Sequence, residues 1–307
     1  SRSGSVTVVL VAAVMVLLAI ALGMGVGGPG RGGGQQDDRP PGASQSTPAK
    51  STGVPPRVVV VGAGLSGLSA ALELADGGAR VVVVDMSSVY GGHAVMSQGG
   101  VSVVATPVQQ AAGEKDSPDL AYKDFIDWGE GANREWVRYY VDHSREQIYD
   151  WLIELGVQFS GVETSPGNTV ARFHQPVGRG IGLVTPVYRA CLERPNVRFA
   201  WNTRADSLVV RNDRVVGVRT TDMRDESRGV LEADAVVLAT GGFQSNLDLV
   251  REFWPAEFAF PKKILTGSGR HSIGLGHEMV REIGGALVKM DYQWNYYSGL
   301  PDPQNPG

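Results

Sequence analysis

The segment Gly62-Ala63-Gly64-Leu65-Ser66-Gly67 holds three glycines in the spacing G-x-G-x-x-G, and a carboxylate, Asp85, follows 23 residues after the first of them. Each position has a physical use. Gly62 permits a tight turn, Gly64 lets bare backbone approach a diphosphate, and Gly67 lets a helix lie close on a strand. A helix that begins at such a turn offers free N–H groups and a partial positive charge to phosphate oxygens. An acid at the Asp85 spacing accepts hydrogen bonds from ribose hydroxyls and disfavours a 2′-phosphate, so NADP is a poor fit. The expected dinucleotide site therefore comprises Gly62, Ala63, Gly64, Ser66, Gly67, Asp85 and Met86. The bland alternative is a glycine turn in an ordinary α/β sheet. This motif does not separate FAD from NAD.

The elements around the motif decide for the dinucleotide. Arg57 to Val61 reads as a short β-branched strand, Leu65 to Ala75 as a helix closed by Gly77-Gly78, and Val81 to Val84 as a second strand. That β-α-β order predicts an α/β fold with a doubly wound parallel sheet, Rossmann-like. Glu135 to Leu155 spaces Trp136, Tyr140, Ile148, Trp151, Leu152 and Leu155 as an amphipathic helix, with Gly156 as its C-cap; it would form a helical insertion. Further strands are expected at Val197–Ala200, Ser207–Val210, Val215–Arg219 and Ala235–Leu238, and a helix around Met279–Ile283.

Composition bounds the remaining readings. Charge is mixed, 28 basic against 32 acidic residues, without a basic block that would serve nucleic acid. Cys191 is the only cysteine, and no two histidines and a carboxylate have metal spacing, so neither a disulfide framework nor a metal is expected. Val6 to Val26 is an uncharged apolar run whose 21 residues, at about 1.5 Å each, would span roughly the 30 Å of a bilayer core as one hydrophobic helix. Residues 1–26 are expected to be a transmembrane anchor or a signal segment, with the side of the membrane undetermined. Residues 27–56, rich in Gly, Pro, Ser and Gln, are expected to be a flexible linker, and 57–307 the globular domain.

Three more segments carry a resemblance. Gly91-Gly92-His93-Ala94-Val95-Met96-Ser97-Gln98-Gly99-Gly100 resembles the flavin-contacting stretch of the fumarate reductase and succinate dehydrogenase flavoproteins, a broad family that includes 3-ketosteroid dehydrogenases. Ala239-Thr240-Gly241-Gly242-Phe243, after an apolar strand, resembles its second hallmark; Gly274-Leu275-Gly276 resembles its Gly-Asp-Gly turn, with Leu275 in place of the acid. The resemblance runs from Arg57 to about Met290. It implies FAD as cofactor, with Gly92, His93, Ala94, Gly99 and Gly100 along the pyrophosphate and isoalloxazine ring. It places the Ala205 backbone at the adenine, and Thr240 and Gly241 over the cofactor. His93 is then a covalent attachment point, a polar contact to noncovalent flavin, or a loop histidine.

The resemblance further implies hydride transfer between flavin N5 and a substrate carbon beside a carbonyl or carboxylate. The family's acid and base come mostly from a cap domain and a carboxy-terminal return, so the domain is expected to be incomplete at its C-terminus, with no catalytic residue nameable here. The family's fumarate reductases carry a His-Pro-Thr-like motif after the Gly-x-Gly turn. The corresponding Gln293-Trp294-Asn295-Tyr296-Tyr297-Ser298-Gly299 lacks that histidine, which counts against fumarate and suits a larger or more apolar small-molecule substrate. Arg172, His174 and Arg179 are expected either at an anion or substrate or in a solvated loop. His271 would face the flavin or solvent, and His143 the surface. Rival whole-protein readings are an NAD-linked dehydrogenase, an electron-transfer subunit needing a partner protein, and an inactive gene fragment.

Overall fold

In the computed structural model, residues 9–10, 53–129, 131–264 and 269–292 are described. A five-stranded sheet in the order β1-β11-β2-β3-β7 is parallel throughout. It comprises β1 (Val9–Leu10), β2 (Arg57–Val61), β3 (Arg80–Val84), β7 (Val197–Ala200) and β11 (Ala235–Leu238). The Val-rich strands alternate between two cores, as the two-residue side-chain period requires. Val58, Val60, Val81, Val83 and Val237 face α1 (Leu65–Asp76) and α6 (Arg179–Leu192). Val59, Val61, Val236 and Leu238 face the other way, toward Leu208, Val218, Met279 and Val280.

That second face corrects the doubly wound expectation. It is covered by a three-stranded antiparallel sheet of β8 (Thr203–Arg211), β9 (Arg214–Asp222) and β10 (Arg228–Glu232), together with α8 (Leu275–Glu282), rather than by a full helical layer. The β8–β9 turn at Asn212-Asp213 has positive φ at both residues, 50° and 58°, the twist a two-residue hairpin needs.

Between β3 and β7 lies the insertion. It holds β4 (Val101–Ser102), α2 (Pro107–Ala111), α3 (Pro118–Trp128), α4 (Arg134–Ser144), α5 (Trp151–Glu154), β5 (Phe159–Glu163) and β6 (Phe173–Pro176). The long helix expected over Glu135–Leu155 is broken by a π-helical turn at Arg145–Asp150. It buries Val141, Ser144, Ile148, Tyr149 and Leu152, whereas Trp136 is 50% exposed. The loop expected at Arg172–Gly180 is instead β6 and the start of α6, with Arg172 and His174 fully buried.

Of the apolar run Val6–Val26 only Val9–Leu10 is described, and there the backbone is a strand paired to Val237–Leu238 rather than a helix. Among the described residues no helix is long and apolar enough to cross a membrane. The linker up to residue 52 and the aromatic stretch 293–299 lie outside the described residues. A short α7 (Leu247–Glu252) follows β11.

Candidate cofactor site

Three loops converge at the carboxyl ends of the parallel strands, where ligands of such sheets bind. The first is the turn from β2 into α1. Gly62 has φ 110°, and a Cβ on it would lie 2.3 Å from the Ala239 carbonyl oxygen. A Cβ on Gly67 would meet the Gly62 oxygen at 1.8 Å. A Cβ on Gly64, in contrast, would have nothing within 4 Å. Gly64 is the N-cap of α1, and no side chain caps that end. Its first-turn N–H groups are therefore left without a side-chain cap, with the partial positive charge of the helix behind them.

Asp85 closes the turn from the end of β3. Its Oδ2 accepts the Ala63 N–H at 2.7 Å and its Oδ1 the Ser87 N–H at 2.7 Å. A carboxylate has about four acceptor sites, so ribose hydroxyls can still donate to it. A cleft beside it is lined by Gly62, Asp85, Met86, Thr203, Ala205, Thr240 and His271, with Val61, Val84, Leu275 and Met279 as apolar walls. Of the residues expected at the dinucleotide, Gly62, Asp85, Met86, Ala205 and Thr240 line this cleft; Thr203 lines it too and was not expected, because it begins a strand with no motif of its own.

The second loop, Gly91–Gly100, lies against the first. Gly91 bridges to Gly64, and its N–H donates to the Ala63 carbonyl at 2.7 Å. A Cβ on Gly92 would sit 3.3 Å from the Gly64 Cα. His93 and Ala94 start a one-turn 3₁₀ helix, and the His93 Nδ1 lies 3.4 Å from the Gln244 Nε2. Gly99 and Gly100 turn away into the protein: their Cβ atoms would fall 2.6 Å from the Gly180 nitrogen and 2.1 Å from the Phe173 ring.

The third loop is Ala239–Phe243. Thr240 is seated by Gly276, whose Cβ would meet the Thr240 Oγ1 at 2.1 Å, and Gly241 takes φ 73°. His277 stands behind this turn, edge-on to Phe243 at 5.5 Å, with a buried Nδ1 that has no hydrogen-bond partner. Burial pushes its pKa below the usual imidazole range, with the charge of Glu278 pulling the other way. His143 lies elsewhere, half-buried against Tyr139 at the end of α4.

Bare backbone at Gly64, an uncapped helix start, an acid for the ribose and a partly apolar cleft together fit an adenine dinucleotide. The family model described as "FAD binding domain" matches residues 57–303. The chain belongs to the FAD-binding domain family. FAD is accordingly the cofactor of this domain. A KsdD-like steroid dehydrogenase of Mycobacterium tuberculosis is 34% identical over 278 residues, covering 79% of this chain and 48% of that protein. Among solved structures, the open conformation of a flavocytochrome c3 fumarate reductase superposes with a TM-score of 0.68 at 28% identity, covering 75% of this chain and 41% of that one. A 3-ketosteroid-Δ4-(5α)-dehydrogenase from Rhodococcus jostii RHA1, in complex with 4-androstene-3,17-dione, gives a TM-score of 0.68 at 26% identity, covering 79% and 57%. The chain spans about half the length of the curated steroid dehydrogenases it matches, 48% to 50%.

Proposed function

We propose that this chain is the cofactor-holding part of an FAD-dependent oxidoreductase that moves hydride between flavin N5 and a carbon beside a carbonyl or carboxylate. The observation that carries the reading is the meeting of three glycine-bearing turns at the carboxyl ends of the parallel strands, with Gly64 open and Asp85 in a cleft beside Gly62 and Thr240. Bound FAD supplies the two-electron chemistry. The chain's own residues seat the diphosphate at the start of α1, accept ribose hydroxyls at Asp85, and wall the adenosine end with Val61, Val84, Leu275 and Met279. Of the substrates named by the relatives, a ketosteroid-like apolar ketone suits Gln293–Gly299 better than fumarate, because the histidine of the fumarate motif is missing there. The substrate-side acid and base are proposed to lie outside this chain, and Val6–Val26 is proposed as a membrane anchor or signal segment.

The test is a visible spectrum of the purified chain after incubation with FAD, before and after acid precipitation. A flavin spectrum with colour released to the supernatant supports noncovalent FAD with His93 as a contact. Colour retained in the pellet makes His93 the attachment point. A chain that stays colourless contradicts the reading. Anaerobic bleaching of the flavin by a saturated steroid ketone, in the full reading frame that carries this chain, tests the substrate class; reoxidation of dithionite-reduced flavin by fumarate alone would reverse that choice. Resistance of the same protein to carbonate extraction from membranes tests the anchor.

A further inference from the structure

A buried polar chain stands behind the end of the Gly91–Gly100 loop. Arg172, fully buried, donates to both oxygens of Asp116 at 2.9 and 2.7 Å, to Asp124 at 2.5 Å and to the Asn168 Oδ1 at 2.8 Å. Gln109 donates from Nε2 to Asp116 at 2.9 Å and to the Ala171 carbonyl at 2.8 Å. His174, also fully buried, has its Nδ1 2.7 Å from the Arg172 carbonyl and its Nε2 2.6 Å from the Thr106 Oγ1. A carbonyl only accepts, so Nδ1 carries the proton. Nε2 then accepts from the Thr106 hydroxyl, whose oxygen takes the Gln109 N–H at 3.2 Å. Each partner's role follows from the last.

This chain sets the register of the loop. Val101 pairs with His174 and Ser102 with Phe173 across β4 and β6. The Arg172 carbonyl that takes the His174 proton also accepts the Val103 N–H at 3.2 Å. The Phe173 ring then occupies the space that a Cβ on Gly100 would need. We propose that His174 is a positioning residue for Gly99–Val101, the inward-packed end of the loop whose Gly91–Ala94 part meets the Gly62–Gly67 turn, effective in its neutral Nδ1–H form. The proposal rests on the FAD reading above.

Around the ring stand Thr106 and Gln109 from α2, Tyr149 from the π-helical turn at 5.7 Å and Phe159 of β5 at 5.6 Å. Asp116 is the charged group acting on it. Burial is the largest influence and lowers the His174 pKa, while hydrogen bonds to the Arg172 and Val101 backbone and the charge of Asp116 pull upward. A depressed histidine keeps its full contribution above the ordinary value of about 6.5. That contribution declines as pH falls below it, because the loosened state takes up the proton first. A second ring proton would oppose the Thr106 hydroxyl, whose other outlet is the Gln109 Oε1 at 3.5 Å.

The test is FAD titration of the whole chain from about pH 7.5 to about pH 5, with His174→Asn and His174→Leu, alongside exchange of the Val103 amide in the cofactor-free chain, corrected for its intrinsic rate. Asn keeps a donor for the Arg172 carbonyl and does not titrate. Wild type should weaken by up to about tenfold per pH unit below the histidine range, and its Val103 amide should lose protection in the same range. His174→Asn should bind somewhat less tightly at neutral pH and show no such decline. An Asn variant that follows the wild-type curve, or a folded His174→Leu that binds FAD as wild type does, overturns the proposal. A wild type that takes no FAD at any pH defeats the cofactor reading instead, and the Val103 exchange still decides for or against His174.

Discussion

Glycine serves opposite ends in the two adjoining loops that follow β2 and β3. At Gly64 an added Cβ would enter open space, and the backbone φ of −71° is one any residue adopts. At Gly99 and Gly100 an added Cβ would enter the backbone of Gly180 and the ring of Phe173. The first glycine leaves room for something that arrives; the other two let the protein close on itself. Close approach of bare backbone to a cofactor, expected for both stretches, fits the open side of Gly64 and does not fit Gly99 or Gly100. A glycine-rich stretch is thus a ligand footprint only where the missing side chain faces outward.

Changes behind the closed loop should be felt as stability, the largest first. Arg172→Met leaves Asp116 and Asp124 buried without their cation and should cost about 3–5 kcal/mol in chemical denaturation. A loss below about 1 kcal/mol would mean that the network is dispensable. Gly100→Ala should cost about 1–3 kcal/mol by overpacking, and Phe173→Leu in the same chain should recover part of it. No recovery would show that the Phe173 contact is not the cause. Smaller still, Arg179→Gly relieves a left-handed backbone at φ 57° and should raise stability by less than about 1 kcal/mol, since glycine also loosens the unfolded chain. A loss on that substitution would show that the side chain, not the backbone, decides at this position.

The legible parts of the molecule are those whose signals are local. Strand β2, helix α1 and strand β3 follow from consecutive valines, a glycine turn and an acid within 29 residues, Arg57 to Asp85. Helix α6 was hidden because Gly180, Gly182 and Pro186 all disfavour helix by themselves. What overrides them is the packing of Leu183, Val184, Val187 and Cys191 against α1. Strand β6 was hidden for the opposite reason. Its polar Arg172-Phe173-His174-Gln175 reads as loop until Asp116 and Thr106, 56 and 68 residues away, satisfy the buried groups. The antiparallel β8 and β9 were visible as strands, but only the packing of Val59, Val61, Val236 and Leu238 against them shows which face they cover. Within the site, the position of Asp85 at the end of β3 was legible; its grip on the Ala63 and Ser87 amides was not, because backbone partners carry no sequence mark.

The measurement that tests the central claim most directly is a paired FAD titration and thermal melt of wild type and Gly64→Ala. The account predicts a melt that moves by no more than about 0.5–1 kcal/mol equivalent, because the Cβ meets nothing and φ is ordinary. It also predicts FAD affinity weaker by about tenfold or more, a loss of about 1.4 kcal/mol or greater in binding alone. A variant that binds FAD as tightly as wild type, or one that loses stability in proportion to affinity, would show that Gly64 faces protein rather than cofactor and would contradict the assignment of this cleft.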